Sequence, residues 1–483
     1  MTRKTTKRAK ARAAAPPAAQ AAAEIGAPYL AADDRRAEGK ALRDAVPRRS
    51  HAGWKAPANR RDPVELLRDS NSGRLPELIP IRFGRMAASP FAFYRGSAAL
   101  MAADLATTPT CGLRVQACGD AHLMNFGAFA TPERNVVFDI NDLDETLPAP
   151  FEWDLKRLAA SIVIAAQHLE LPKSGAAQAA TDLTRAYRER MADYGSMRAL
   201  EVWYDRIDLK RFEDRSADPS VMKEARRRVE QRMQSERRRT VPDHFYPKLV
   251  STEGARPRIK DEPPLLFHPS AELAPGLASG YAKAFAAYRA TLPEHTRLLF
   301  DRYHFFDLSF KVVGVGSVGT VCAVALFLAA DDDPLFLQIK EARTSVLEPY
   351  AGKSVHANNG QRVIAGQRLM QSASDVFLGW ARGQSGRDVY VRQLRDMKMS
   401  AIIEDMDAPL LRQYGRMCAQ ALARAHARSG DAARLAGYMG SGSSFDEAIG
   451  EFAVEYADQN RSDHRTFVQA IREGRIEGAS DLG

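Results

Sequence analysis

Residues 118–127 read CGDAHLMNFG, and residues 138–145 read FDINDLDE. Apolar runs at 115–118 and 136–140 lead into these two polar stretches, and each run predicts a short strand. Carboxylates and an amide at the ends of short strands can offer oxygen ligands to Mg²⁺ and a base to a hydroxyl group. The alternative interpretation is a pair of polar β-turns, because Asp, Asn and Gly are common turn residues.

The spacing of the polar residues in the first stretch matches a known catalytic arrangement. Asp120 and Asn125 fit the pattern D-x-x-x-x-N. This is the spacing of the catalytic loop of protein kinases, in which the aspartate receives the substrate proton and the asparagine holds a metal ion. The two residues are therefore the first candidates for a functional site.

A second motif is the glycine-rich stretch GVGSVGTV at residues 314–321, which fits G-x-G-x-x-G-x-V. Dinucleotide-binding folds also use such glycines, but their loop must open a helix. Here residues 321–327 read VCAVALF, which is apolar and includes β-branched types, so they predict a strand. A glycine loop between two strands is the arrangement that folds over ATP in kinases.

The next predicted strand, residues 335–340, ends in Lys340. This strand is comparable to the V-A-I-K strand of kinases. A lysine at the end of an apolar strand is costly to bury without an anionic partner, so Lys340 is predicted to face phosphate groups. The alternative is an ordinary lysine on an edge strand.

The composition bounds the class of protein. With 483 residues, 45% of them hydrophobic and 27% charged, the chain predicts a soluble globular protein of about two or three domains or lobes. The longest apolar runs, 158–166 and 321–330, are much shorter than the roughly 20 residues that span a bilayer. The four cysteines have no metal-ligand spacing, which indicates buried thiols in a reducing compartment. The sequence therefore predicts a cytoplasmic protein without a membrane segment.

The net charge of +9 is concentrated in two places. Residues 1–25 are basic and rich in Ala and Pro, with no acidic residue before Glu24. They predict a disordered tail over residues 1–55 that is able to contact a polyanion. The Arg-rich stretch 223–239 fits either a nucleic-acid-binding surface or a solvated helix face.

The chain divides into three further regions. Residues 56–300 predict a mainly helical region that holds both polar stretches, with helices at 90 to about 106, 154–169 and 176–191. A Pro-rich and Arg-rich insertion at about 195–275 is predicted to be irregular. Residues 301–400 predict five strands and one helix. Residues 401–483 predict two helices, at about 409–429 and 446–459, that pack on the first region.

Several short motifs resemble a known superfamily. GDAHLMN at 119–125 resembles the H-G-D-L-H-x-x-N loop of aminoglycoside phosphotransferases and choline kinases, within the protein-kinase-like superfamily. DLD at 142–144 resembles their D-F-[GDE] metal loop, and WDL at 153–155 resembles a helix start at a similar distance downstream. Longer signatures, such as SPFAFYRG at 89–96 and QIKEA at 338–342, are similar to the uncharacterised bacterial domain-of-unknown-function 2252 family. The second resemblance covers nearly the whole chain beyond residue 60.

The resemblance implies a role for each matching residue. Asp120 would be the catalytic base, and Asn125 would be a Mg²⁺ ligand. Asp142 would be the second metal ligand, with Asp139 and Asp144 as competing candidates. The residues implied in contacting the phosphates of ATP are Gly314, Gly316, Ser317, Gly319 and Lys340.

The chain departs from the superfamily pattern in three local features. The segment from Asn125 to Asp142 is longer than is usual in the superfamily, which bears on the choice of the metal-binding carboxylate. Cys118 stands where the loop histidine is expected. No glutamate lies in the helix predicted after Lys340. Either Glu341 or Glu348 would have to be the partner of Lys340, or Gln367 would take the place of the missing glutamate.

The order of the motifs also differs, because the glycine loop and Lys340 follow the catalytic loop instead of preceding it. Reading the chain from residue 305 to its end and then from about residue 110 restores the kinase order. The resemblance therefore implies an α+β, protein-kinase-like two-lobed fold that is circularly permuted, with the helical catalytic lobe first and the five-stranded glycine-loop lobe second. Such permutation is permissible where termini lie close together at a surface.

The expected function is that of an ATP- and Mg²⁺-dependent phosphotransferase acting on an unidentified small-molecule hydroxyl acceptor. Two alternatives use the same fold: a non-catalytic nucleotide-binding regulatory module and a nucleotidyltransferase. A nicotinamide oxidoreductase is disfavoured by the strand predicted after Gly319. Acceptor pockets in such folds come from variable helical insertions, which points to residues 195–275.

Overall fold

A computed structural model describes residues 30–209, 227, 246–251, 256–268, 277–312, 314–330, 333–383, 386–394 and 399–479. Within these residues the chain has a mixed α+β fold. Helices predominate before residue 205 and again after residue 407, and a large antiparallel sheet is formed mainly by the residues between them. None of the described helices is long and apolar enough to cross a membrane.

The helices and strands are numbered in chain order. The described helices are α1 (Ala32–Ala45), α2 (Pro63–Asp69), α3 (Ile79–Ala87), α4 (Pro90–Gly96), α5 (Ala98–Leu105), α6 (Phe151–His168), α7 (Lys173–Tyr194), α8 (Ala199–Tyr204), α9 (Tyr246–Leu249), α10 (Leu277–Thr291), α11 (Glu294–Phe300), α12 (Glu348–Ala351), α13 (Asn359–Met370), α14 (Ala408–Ser429), α15 (Ala432–Met439) and α16 (Ser444–Arg472). The described strands are β1 (Arg114–Ala117), β2 (Phe126–Ala130), β3 (Val136–Ile140), β4 (Leu147–Pro150), β5 (Ile207–Asp208), β6 (Val250–Ser251), β7 (Arg258–Ile259), β8 (Leu266–Phe267), β9 (His304–Lys311), β10 (Cys322–Leu328), β11 (Pro334–Glu341), β12 (Gly379–Arg382), β13 (Asp388–Gln393) and β14 (Met399–Ser400).

The largest sheet has the strand order β12-β13-β11-β10-β9-β8, and every neighbouring pair is antiparallel. All seven residues of β10 are buried, as expected for the run of apolar residues that predicts this strand. The sheet was predicted with five strands, and this count is wrong by one. The sixth strand, β8, is only two residues long and comes from the insertion predicted to be irregular, so it lacks the alternating pattern that identifies a strand.

The helical core is built around α6, in which every residue from 151 to 166 is buried. Helices α7, α14 and α16 pack beside it, and the alanines of α6 and α14 let the helices approach closely. The predicted helices at 154–169, 176–191 and 409–429 are confirmed to within a few residues. Helix α15 was not predicted, and the helix predicted from residue 90 to about 106 is broken at Ser97 into α4 and α5.

The prediction of a disordered tail over residues 1–55 is wrong from Ala32 onward. Helix α1 packs against α15, with Gly39 against the backbone of Arg434. Arg43 Nε donates to the carbonyl oxygen of Tyr438, at the end of α15, across 2.8 Å. The helix was missed because it packs through a small residue and arginine contacts instead of an apolar stripe.

Replacing Gly39 by alanine is expected to destabilise the protein by about 1–3 kcal/mol, because the added Cβ overlaps the carbonyl group of Arg434. Gly175 in α7 is the matched control, since a Cβ there meets nothing within 4 Å. Alanine at Gly175 is expected to be neutral or to stabilise by up to about 1 kcal/mol. Denaturant unfolding measures both changes, and equal effects would contradict the packing of α1 on α15.

Three sequence predictions fall wholly or largely outside the described residues. The first concerns residues 1–29, which hold the basic segment predicted to contact a polyanion. The second concerns the Arg-rich stretch 223–239, of which only residue 227 is described, and the third concerns the proposed acceptor-pocket insertion, most of which lies outside.

Candidate functional site

The antiparallel pairing of β2 with β3 brings the two polar stretches together. The first stretch precedes β2 and the second follows β3, and Phe126 pairs with Ile140 at the shared end. Beyond this pair, the backbone N–H of Asn141 donates to the carbonyl oxygen of Asn125 across 2.7 Å. Residues 118–125 and 141–145 therefore form two adjacent loops at one end of the β2–β3 pair. Residues 141–145 are named the acidic loop.

The first loop is closed by its own side chains. Asn125 Nδ2 donates to the carbonyl oxygen of Asp120 across 2.8 Å, at the end of a single 3-10 turn formed by Leu123–Asn125. This hydrogen bond occupies the donor end of the Asn125 amide and leaves its oxygen for another partner. The spacing D-x-x-x-x-N thus corresponds to a real contact between the two residues.

Asp154, near the start of α6, holds the backbone of the loop at residues 118–125. Its carboxylate accepts hydrogen bonds from the backbone N–H groups of Cys118, across 2.5 Å, and Gly119, across 2.9 Å. His426 Nε2 lies 3.1 Å from the same carboxylate, which ties α14 to the loop. Gly119 has φ +82°, and a Cβ there would lie 2.5 Å from the carbonyl oxygen of Glu145, so the turn requires glycine.

Cys118 contacts the second loop. Its Sγ lies 3.5 Å from the carbonyl oxygen of Asp142 and can donate a weak hydrogen bond to it. The thiol is fully buried, and burial raises its pKa well above the ordinary value, so it remains protonated and able to donate. The residue that replaces the expected histidine is therefore in direct contact with the acidic loop.

Asp120 is held on one side and open on the other. Its Oδ1 accepts hydrogen bonds from Arg157 Nε, across 2.7 Å, and from Arg157 Nη2. Its Oδ2 lies 3.8 Å from His122 Nε2, and the side chain is 20% exposed. Burial lowers the pKa of His122 to about 4, with Asp120 opposing the shift, so this imidazole is neutral near pH 7.

Asp139 is committed to a structural ion pair. Arg424 Nη2 lies 2.6 Å from Oδ1 and 2.8 Å from Oδ2, and the backbone N–H and hydroxyl of Ser372 each donate to Oδ2 across 2.7 Å. The carboxylate is fully buried by these contacts. They explain Asp139 as a link between β3, α14 and the end of α13, and they make Asp142 and Asp144 the better candidates for ligand binding.

Lys340, at the end of β11, meets the second loop. Its Nζ lies 2.6 Å from Asp144 Oδ2 and 3.3 Å from Asp142 Oδ2, although the residues are 196 and 198 positions apart in the sequence. Tyr390 donates from its hydroxyl to Asp144 Oδ1 across 2.5 Å. Asp144 is thus engaged at both oxygens, and Asp142 makes the longer contacts with Lys340.

The electrostatics of this group keep the lysine charged. Burial alone would lower the pKa of Lys340, but Asp142 and Asp144 outweigh it and raise this pKa well above its ordinary value. Burial and the carboxylate of Asp142 raise the pKa of Asp144, while Lys340 opposes the shift. The cluster is therefore a buried cation held between two partly exposed acidic groups.

The partners proposed for Lys340 from the sequence have other contacts. Glu341 accepts from the backbone N–H of Val321 across 2.9 Å and pairs with Arg387 at 2.7 Å. Glu348 begins α12, and Gln367 is buried in α13 with no hydrogen-bond partner for its Nε2 among the described residues. Among those residues, the ion pairs of Lys340 are with the two aspartates of the acidic loop.

Helix α13 contributes an arginine that the sequence analysis did not single out. Arg362 is buried and donates to the carbonyl oxygens of Thr146, across 2.6 Å, and Asp144, across 2.9 Å. It also donates to the carbonyl oxygen of Arg343, two residues beyond β11. These contacts connect α13, the acidic loop and the segment that follows β11. They join residues distant in sequence, so no local sequence pattern predicts them.

The glycine loop, residues 314–320, connects β9 to β10, so the predicted strand–loop–strand arrangement is confirmed. Gly314 and Gly319 have φ +67° and +85°, which favour glycine. The carbonyl oxygen of Gly319 accepts from the backbone N–H of Leu75 across 2.7 Å, and Arg74 Nη1 donates to the carbonyl oxygen of Val318 across 2.6 Å.

The loop thus rests on the segment that links α2 to α4. Arg85 Nη1 donates to the carbonyl oxygen of Gly314 across 2.5 Å, and Gly316 faces the carbonyl oxygen of Arg95. The carbonyl oxygen of Ser317 accepts from the backbone N–H and the hydroxyl of Thr320. Sequence reasoning did not identify Arg74 or Arg85, because a long-range contact to a carbonyl leaves no local pattern.

Among the described residues, the site offers oxygen donors without a clustered set of metal-ligating side chains. In the part of the chain that the structure describes, no group of three or more His, Cys, Asp or Glu side chains is arranged to hold a metal ion. Mg²⁺ usually binds through one or two carboxylates together with substrate phosphates and water. The amide oxygen of Asn125 and the carboxylate of Asp142 are oxygen donors, the type of atom that Mg²⁺ prefers.

The comparisons with known proteins identify the family. Neither the curated proteins nor the solved structures gave a match. One family model matches residues 74–470. The family is DUF2252, described as an uncharacterised protein conserved in bacteria. The matched residues include both polar stretches, the glycine loop and Lys340. The chain therefore belongs to the DUF2252 family of bacterial proteins.

Proposed function

We propose that this protein is an ATP- and Mg²⁺-dependent phosphotransferase that acts on a small-molecule hydroxyl group. The observation that carries the proposal is the contact of Lys340 with Asp142 and Asp144 across nearly two hundred residues of sequence. Phosphoryl transfer uses a glycine loop followed by a strand that carries a lysine, and a D-x-x-x-x-N loop followed by an acidic metal loop. This chain contains both pairs of elements, and the lysine lies beside the acidic loop.

The proposal includes a kinase-like two-lobed fold that is circularly permuted. A kinase order requires a helix to precede the catalytic loop, and α14 is the candidate for it. Tyr414 of this helix donates from its hydroxyl to the carbonyl oxygens of Leu123, across 2.8 Å, and Phe126, across 3.0 Å. His426, near its end, contacts Asp154. These contacts support a spatial succession from the C-terminal helices to the loop at 118–125.

The residues fit a bound Mg²⁺–ATP. The amide oxygen of Asn125 and the partly exposed carboxylate of Asp142 are hard oxygen ligands, which Mg²⁺ prefers. When bound, the ion would neutralise negative charge that develops on the phosphates during transfer. Lys340 would bind a phosphate oxygen with its charged amine, and the backbone of Gly314, Gly316 and Gly319 would approach the phosphates closely.

Asp120 would receive the acceptor. Arg157 fixes Oδ1, so Oδ2 is the atom that would accept the hydrogen bond of the acceptor hydroxyl. The acceptor oxygen forms a bond to the γ-phosphorus while the bond from this phosphorus to the β–γ bridging oxygen breaks. The proton passes to Asp120 and then to solvent, and ADP leaves with the electron pair of the broken bond.

The ion pair of Arg157 with Asp120 favours two alternative functions, because the guanidinium compensates the negative charge of the proposed base. A non-catalytic nucleotide-binding regulatory module needs no base. A nucleotidyltransferase would hold ATP in the reverse sense and attack the α-phosphorus instead. Both alternatives retain the binding roles of Lys340 and the glycine loop, so they are separated by turnover and not by ATP binding.

Label transfer distinguishes these functions. We expect the wild-type protein to transfer ³²P from γ-labelled ATP, but not from α-labelled ATP, to a component of a cell-extract metabolite pool. Asp120→Asn should lower the rate by about 10²-fold, because proton acceptance is lost, and keep ATP affinity, because Asp120 is assigned no contact with the nucleotide. The substitution also removes the charge paired with Arg157, so thermal unfolding checks that the variant is folded. Asp34→Asn, an exposed change in α1, is the control.

The other outcomes have defined meanings. Transfer of the α label would establish nucleotidyl transfer. ATP binding without any transfer would favour the regulatory module. If calorimetry detects no ATP binding by the wild-type protein with Mg²⁺, the nucleotide-binding proposal is wrong.

A further inference from the structure

Arg95 is a partly buried arginine at the end of α4. The helix begins at Pro90 and ends at Gly96. Ser89 caps its N-terminus, because the Ser89 hydroxyl accepts a hydrogen bond from the backbone N–H of Ala92. Among the described residues, none supplies a hydrogen-bond partner for the buried Nε of Arg95, and no carboxylate forms an ion pair with its guanidinium. The guanidinium carbon lies 6.0 Å from the centre of the Phe91 ring.

The position of Arg95 relates it to both halves of the candidate site. A Cβ added to Gly316 would lie 3.3 Å from the carbonyl oxygen of Arg95, so the glycine loop touches this residue. The preceding residue, Tyr94, accepts a hydrogen bond at its carbonyl oxygen from Arg157, the arginine that holds Asp120. The end of α4, at Tyr94 and Arg95, therefore contacts both the loop that would carry the phosphates and the arginine that holds Asp120.

The electrostatic surroundings are those of a cation that lacks an anion. Burial lowers the pKa of Arg95, while the more distant charges of Asp120 and Glu404 oppose the shift. Arg157 differs, because the carboxylate of Asp120 pairs with it directly. Burying a guanidinium without a hydrogen-bonded anion is costly, so a bound anion would offset a cost that the described contacts leave.

We propose that Arg95 binds the terminal phosphate of the nucleotide, and that it stabilises the charge on this group during transfer. The inference rests on the proposed phosphotransferase function. A planar guanidinium offers paired N–H donors to phosphate oxygens, which suits a group whose negative charge is spread over three oxygens. The glycine loop and Lys340 would hold the inner phosphates, and Arg95 would act on the outermost one.

The experiment compares ligands that differ in the terminal phosphate. Wild type, Arg95→Gln and Arg95→Lys would be titrated by calorimetry with ATP, ADP and inorganic triphosphate in the presence of Mg²⁺. We expect Arg95→Gln to weaken ATP and triphosphate binding by about tenfold or more, and to leave ADP affinity nearly unchanged. Arg95→Lys should recover part of the loss, because it restores charge without the fork of donors.

Arg465→Gln is the matched control, because Arg465 is exposed on α16 and the same charge is lost. Thermal unfolding of each variant checks that the loss of the Phe91 contact has not unfolded the protein. Turnover of γ-labelled ATP should fall by at least about 10²-fold in Arg95→Gln. A purely structural role would change the melting temperature without separating ATP from ADP.

The outcomes separate this inference from the function on which it rests. If wild type transfers the γ label and Arg95→Gln keeps its ATP affinity and turnover, the inference is wrong and the phosphotransferase stands. If wild type binds triphosphate through Arg95 but transfers no label, the phosphate contact stands and the phosphotransferase is wrong. If wild type binds neither ATP nor triphosphate, both are wrong.

Discussion

Asp142→Asn is expected to lower the rate of ATP turnover by about 10³-fold, because charge stabilisation by a catalytic metal ion is worth several kcal/mol and each 1.36 kcal/mol is tenfold in rate. The amide keeps the size of the side chain and removes the negative charge of one of the two proposed metal ligands. Lys340 retains Asp144 as its partner at 2.6 Å, so the fold should be little affected. Steady-state turnover over a Mg²⁺ titration, together with thermal unfolding, measures both effects.

Asp144→Asn is the matched control for this substitution. The oxygens of Asp144 are occupied by Lys340 and by Tyr390, at 2.6 and 2.5 Å, so its loss should reduce stability more and Mg²⁺-dependent turnover less than the loss of Asp142. The reverse ranking would assign the metal to Asp144. Unchanged turnover in both variants would contradict the proposed phosphotransferase.

Lys340→Met is expected to cost stability as well as ATP binding. Removing one partner of a fully buried ion pair costs about 3–5 kcal/mol, and solvent access to the carboxylates lowers the expected cost here to about 2–4 kcal/mol. The lysine side chain is 4% exposed, whereas those of Asp142 and Asp144 are 31% and 26% exposed. Denaturant unfolding of the variant without nucleotide isolates the stability term from ligand binding.

A double variant and a pH series test the physical cause. Adding Asp144→Asn to Lys340→Met should recover part of the lost stability, since one of the two unpaired carboxylates disappears. The pKa of Asp144 is already raised by burial and by Asp142, and the loss of Lys340 raises it further. At a pH between the two values, the folded variant therefore holds a proton that the unfolded chain, with a pKa near the ordinary value, has already released.

The difference in stability between wild type and Lys340→Met should therefore shrink as the pH falls through the raised pKa of Asp144. A difference that is constant with pH, or a double variant no more stable than the single one, would show that the cost comes from lost packing and not from the uncompensated carboxylates. Calorimetry with Mg²⁺–ATP on the same variant should show weaker binding, because the phosphate-binding amine is absent.

Short-range features of this protein were predictable from residue order. Apolar runs identified β3 and β10, and helical spacing identified α6 and α14, because strands and helices impose periods that an amphipathic or buried segment must follow. The contact of Asn125 with Asp120 was also accessible, since both residues lie in one tight loop. Segments that pack through glycines and arginines, such as α1, carry no such period and were missed.

Long-range pairings were accessible only from the folded chain. The sequence made Lys340 a residue in need of an anion, but three candidate partners from nearby sequence were considered and the aspartates of a distant loop fill that position. In the same way, residue order left Asp139 as a competitor of Asp142 for the metal, and the tertiary structure pairs Asp139 with Arg424.

The physical reason is that residue types and their local spacing determine backbone conformation and the chemistry a side chain can perform, whereas the identity of its neighbours depends on how strands pair and helices pack. The order of residues thus established two polar loops, a glycine loop between strands and a lysine that requires a counter-charge. The tertiary structure decided that the lysine and the acidic loop share one site, that Asp139 serves the core, and that Arg95 lies beside the glycine loop without an anionic partner among the described residues.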